Sequence, residues 1–116
     1  MQMSRRVSEL GLQGKIDCLL TEAKAAEAKD RRLETRYSFF RPVSITVYPG
    51  QTKLSAFSRD ISAIGMGLLT NVPLNPGKVT VTVACHTKEE LNLLMRVEWC
   101  QPCAEGWYLS GARFWW

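Results

Sequence analysis

An all-β fold, a six-stranded antiparallel β-barrel behind an N-terminal helical extension, is what this sequence predicts, and three observations carry the prediction. Apolar residues alternate with polar ones in short runs from Val43 onward. Clusters of Pro, Gly and Asn separate those runs at short intervals, as tight turns require. Only the stretch before Asp30 has helical spacing. Short strands joined by tight turns suit a small barrel, because closure removes exposed strand edges.

Taken in order, Ser8 to Asp30 is rich in Ala, Glu, Lys and Leu, with Ile16, Leu19, Leu20, Ala23 and Ala26 spaced for one helical face. Gly11 and Gly14 interrupt it early. Beyond Leu20 the apolar stripe shrinks to alanines, which predicts a solvated second half or a helix that pairs with another copy of the chain. Val43, Ile45 and Val47 then alternate with Ser44, Thr46 and Tyr48 as a first strand, and Pro49-Gly50 turns it. Leu54, Ala56 and Ser58 return on a second strand, and a shaped loop over Asp60 to Gly65 leads into a third, Met66 to Thr70. After Asn75-Pro76-Gly77, Val79, Val81 and Val83 alternate with threonines. A polar turn near Lys88 precedes Leu91, Leu93, Met95, Val97 and Trp99. A sixth strand, Trp107 to Trp116, enters through Gly106.

A chain of 116 residues with 46% hydrophobic content buries one core, so the division is a helical extension over 1–30 and a barrel over 31–116. No apolar run approaches the roughly 18 residues that span a bilayer. The first dozen residues lack the apolar segment of a secretory signal, and a cytoplasmic location is expected. The formal charge of +4 suits an anionic ligand but falls short of a duplex-binding face. Cys18, Cys85, Cys100 and Cys103 are expected as reduced thiols, since this much apolar content needs no disulfide framework.

Two motifs flank the first hairpin. Arg32-Leu33-Glu34-Thr35-Arg36 reads RxxxR, and Asp60-Ile61-Ser62-Ala63-Ile64-Gly65 reads DxSxxG. Together, in that order and about two dozen residues apart, with Gly111-Ala112-Arg113-Phe114 closing the last strand, they resemble the PilZ family over Arg31 to Trp116. The resemblance implies a PilZ-type barrel whose rim binds cyclic di-GMP without chemistry, the RxxxR segment wrapping the ligand, and a protein effector to receive the signal. It needs no cofactor. Arg31 precedes the motif, and within the family that placement accompanies a stacked pair of ligands.

The residue chemistry agrees independently. A guanidinium fork on Arg32 or Arg36 matches guanine O6 and N7, bonds phosphate oxygens in pairs and stacks on a purine face. An ionised Asp60 accepts from guanine N1 and its exocyclic amine, which adenine does not present in that arrangement. Ser62 donates or accepts nearby, and Gly65, with Gly67 beside it, allows close backbone approach or positive φ. The same residues have structural readings: Asp60 and Ser62 also suit a turn that caps a strand end, and Arg32 and Arg36 suit a helix C-terminus. Trp99 lies where some relatives bring an aromatic ring to the base, yet its parity with Val97 and Met95 fits the core as well.

Other functions have thinner support. Cys100-Gln101-Pro102-Cys103 spells CxxC, but at a hairpin and without a second ligand pair, so neither a redox centre nor a metal is expected. The lone His86 has no nucleophile or carboxylate assigned to it by any motif, which argues against an enzyme. Binding to a nucleic-acid polymer is not expected, because the odd-numbered aromatics read as core. The serious alternative is a PilZ-like adaptor that ignores nucleotide and works through its helix or its Trp115-Trp116 end.

Overall fold

The computed structural model describes residues 6–26 and 35–115. Strict alternation makes the wall of the structure. In β5 (Glu90–Pro102) Leu91, Leu93, Met95 and Val97 point inward between exposed neighbours, and in β4 (Gly77–Ala84) Val79, Val81 and Val83 point inward between half-buried threonines. With β1 (Tyr37–Val47), β2 (Thr52–Ile61), β3 (Gly65–Thr70) and β6 (Tyr108–Phe114) they close an antiparallel barrel in the order β1-β2-β3-β6-β5-β4. Ile45, Val81, Leu91, Leu93, Met95 and Val97 are fully buried, each contributing about 1.5–3 kcal/mol relative to exposure.

The first strand starts six residues earlier than the alternation from Val43 predicts, because Tyr37 and Phe39 extend the inward face across a bulge. One extra residue of β1 sits between Ser38 and Arg41, and Ser58 fills the gap in the ladder. Its hydroxyl donates to the Phe39 carbonyl at 2.5 Å and accepts from the Arg41 N–H at 3.1 Å. This explains a fully buried serine in β2.

The helix α1 (Leu12–Ala26) follows a 3-10 turn, Val7–Glu9, and is not a solvated extension. Ile16, Leu19, Leu20 and Ala23 share one buried cluster with the barrel interior. The expectation that the alanine half offers little to a core is therefore corrected at Ala23, 2% exposed, whose small side chain permits close approach. At Ala23 the face read as free to pair with another copy is covered by the chain's own barrel. Glu22 fastens the docked helix: its Oε1 pairs with Arg41 Nη2 at 2.5 Å and its Oε2 with His86 Nδ1 at 2.7 Å. Burial opposes its ionisation, but the hydrogen bonds from His86 and Arg41 hold the carboxyl below the usual range. Glu89 ties the 3-10 turn to the same end of the barrel through the Val7 and Ser8 N–H groups.

No helix among the described residues is long and apolar enough to cross a membrane. Each of the four cysteines is a free thiol. The CxxC pair straddles the end of β5, with Cys100 Sγ accepting from the Leu74 N–H at 3.4 Å while Cys103 is exposed.

Candidate functional site

Three bulges meet on one rim of the barrel. Besides the one in β1, β2 has an extra residue between Ser58 and Asp60, where it pairs with β3, and β5 has one between Val97 and Trp99, where it pairs with β6. Bulges re-aim side chains at barrel rims, and each does so here.

The bulge in β5 takes Trp99 out of the core. Glu98 and Trp99 both face outward, and Trp99 is 46% exposed despite its core parity with Val97. Its indole lies against Gly111 of β6, where any Cβ would collide with the ring. Glycine inside a strand often marks such an approach. One face of the indole rests on β6 backbone, and the exposed remainder is available for stacking.

Asp60 is 9% exposed and its carboxylate is saturated. Oδ1 accepts from Arg36 Nη1 at 3.0 Å and from the Gly67 N–H at 2.9 Å, and Oδ2 accepts from Arg59 Nε and Nη2 at 3.3 and 3.1 Å. A carboxylate offers about four lone-pair sites, so these bonds use them all. Gly67 is required beneath it, since a Cβ there would stand 2.7 Å from Asp60 Oδ1. The role of Gly67 is to seat Asp60, a correction to the expected approach of ligand to backbone.

Arg36, just before β1, is thereby fixed at the mouth of a cleft of about 180 Å³ lined by Arg36, Gly65, Glu98, Trp99, Gly111 and Arg113. Two guanidinium groups against one carboxylate leave it cationic; Glu98 Oε1 stands 3.8 Å from Arg113 Nε. Gly65 opens β3 opposite Arg113, and its missing Cβ accommodates the Ala112 carbonyl, so its reason is close strand approach. Ser62 is fully buried in the β2–β3 loop, where its hydroxyl accepts from the Ile64 and Gly65 N–H groups, each at 3.2 Å. It shapes the loop that presents Gly65.

Of the candidates from sequence, Arg36, Gly65 and Trp99 line one cleft, Asp60 stands behind Arg36, and Ser62 supports the loop. Arg31 and Arg32 lie outside the described residues. Immediately after Arg36, residues 37–40 already belong to β1. Sequence reasoning did not assign Gly111 or Arg59 to the site. A glycine inside the final strand was the available signal for the first; nothing marked the second.

A second surface corrects part of the expectation that the odd-numbered aromatics are core: Phe57 and Trp107 leave it, while Tyr37 and Phe39 stay within it. Phe40 and Phe57 stack on the outer face, centroids 5.1 Å apart, and Trp107 tilts against Phe57 at 6.2 Å. They line a shallow apolar groove whose lining has Glu105 and no cation.

The chain is thus a six-stranded antiparallel barrel with an arginine and a tryptophan facing one rim cleft. A family model described as PilZ domain matches residues 30–116, well over half of the chain, and the chain belongs to the PilZ domain family. No curated protein matches it.

Proposed function

We propose that this chain is a receptor for cyclic di-GMP that binds the second messenger without chemistry and relays its presence to a protein effector. The observation that carries the reading is Arg36, anchored by Asp60 at the mouth of the Trp99–Gly111 cleft. An anchored guanidinium loses little freedom on binding, and its fork suits a guanine edge or a phosphate. The exposed indole offers a base a stacking face worth about 1–3 kcal/mol.

At about 180 Å³ the cleft is smaller than the roughly 300 Å³ at which pockets for whole small ligands begin, so it takes one base of a dinucleotide. Arg31 and Arg32 cover the remainder, and Arg31 favours a stacked pair of ligands through charge and stacking. Asp60 acts in one of two ways: it continues to aim Arg36, or it exchanges an arginine for guanine N1 and the exocyclic amine. The RxxxR segment joins the docked helix to β1, so closing it over ligand shifts the helix, which is the output. The reading includes a cytoplasmic location, where a second messenger is met.

The test is isothermal titration calorimetry with cyclic di-GMP, with cyclic di-AMP and an Arg32→Ala/Arg36→Ala double variant as controls. Saturable heat with cyclic di-GMP alone, approaching two ligands per chain and absent in the variant, is expected. Absence of heat with folded protein overturns the reading. It would favour a nucleotide-blind adaptor, for which the outward Phe40, Phe57 and Trp107 offer a contact surface.

A further inference from the structure

Away from the cleft, the helix and the barrel bring three metal-binding side chains together. Cys18 and Glu22 are one helical turn apart on α1 and so share a face. The turn between β4 and β5 adds His86 from the barrel. Glu22 Oε2 lies 2.7 Å from His86 Nδ1 and 3.7 Å from Cys18 Sγ, and the three donor atoms are all within 4.8 Å of one another.

We propose that Cys18, Glu22 and His86 form a site for a borderline divalent metal ion of the zinc type, which staples the helix to the barrel. With metal-to-ligand lengths of about 2.0–2.3 Å, donors of a tetrahedral site stand about 3.3–3.6 Å apart, so small side-chain shifts place all three around one ion. Thiolate, imidazole and carboxylate together suit zinc or cobalt; calcium and magnesium require oxygen ligands. Binding releases the thiol proton of Cys18 to solvent as the metal–sulfur bond forms. The His86 side chain is 65% exposed, which leaves the fourth position to water.

Arg41 stands on Glu22 Oε1, away from the donor oxygen, and would orient the carboxylate as outer partners of metal ligands do. The His86 N–H also donates to Oε2, at 3.2 Å, which holds the turn in place whether or not an ion is present. Without metal the same atoms form an ion-pair latch, and the ion strengthens a joint that already exists. None of these residues lines the Arg36 cleft, so the proposal is independent of the cyclic di-GMP reading.

The test is titration of the reduced full chain with Co2+, followed by the thiolate-to-cobalt charge-transfer absorption and by displacement with Zn2+. The expected result is one ion per chain. Cys18→Ser should abolish the charge-transfer band, and His86→Gln should weaken binding about tenfold or more while folding normally, its side chain being exposed. A Cys100→Ser/Cys103→Ser control should bind as the parent does. Absence of the band at one equivalent, a band that survives Cys18→Ser, unchanged affinity in His86→Gln, or a band lost in the CxxC control overturns the proposal.

Discussion

Two carboxylates organise this protein, and each holds an arginine, but to different ends. Glu22 reaches from a helix to Arg41 and His86 on the barrel, above an apolar seal of Ile16, Leu19, Leu20 and Ala23. Asp60 reaches to Arg36, Arg59 and the Gly67 N–H of the adjoining strand, and Arg36 faces an open cleft. The first arrangement joins two elements, so its loss is felt as stability. The second joins nothing that the barrel ladder does not already join, and what it adds is aim. An ion pair is read by what surrounds it: closed packing makes a fastener, and open space on one side makes a recognition group.

The contrast can be tested from both sides. The largest effect is expected from Leu19→Ala, which removes a fully buried side chain beneath the Glu22 latch and should cost about 2–5 kcal/mol in denaturant unfolding, leaving the cleft residues in place. Arg36→Ala should do the reverse. The cost there is about 1–3 kcal/mol of cyclic di-GMP affinity, roughly five- to 150-fold in Kd by calorimetry, with unfolding shifted by less than about 1 kcal/mol. Gly111→Ala is expected to displace the Trp99 indole, because the added methyl meets a rim side chain that can move. Affinity should fall about tenfold, with a changed tryptophan emission and a barrel that still folds.

The smallest effect is that of Glu22→Gln, about 1 kcal/mol of stability, discounted because its partners are partly exposed. It carries a pH signature. The folded carboxyl titrates below its usual value of 4.5, so between the two values the unfolded state binds more protons. The contribution is complete above the usual value and is lost as pH falls through the lower folded one. Wild-type stability should therefore drop more steeply than that of Glu22→Gln in acid thermal melts. Parallel slopes would remove the latch from the comparison.

Much of the barrel was legible because period two needs no tertiary knowledge: the valines of β4 and the apolar residues of β5 up to Val97 face where their parity says. Parity failed at the β5 bulge. Trp99 left the core because one extra residue changes every face beyond it, whereas Tyr37 and Phe39 kept the parity of Val43 and were missed because the alternation was read only from Val43 onward. Ala23 was misread for a different reason: how much core an alanine helps to close depends on how near the opposite surface comes, which no single sequence records. The motifs located the site, yet the saturation of Asp60 by Arg36, Arg59 and Gly67 required three strands to be in register. The meeting of Cys18, Glu22 and His86 across more than sixty positions of chain was likewise a product of helix docking.

The most direct test of the central claim is to map where the ligand lands, using amide and indole resonances of the 15N-labelled chain during addition of cyclic di-GMP. The largest shifts are expected at the Trp99 indole N–H and at the Gly65 and Gly111 amides, with Gly50, in the turn at the opposite end of β1 from Arg36, unmoved. Shifts centred on the Pro49-Gly50 turn, or none in saturating ligand, would contradict it.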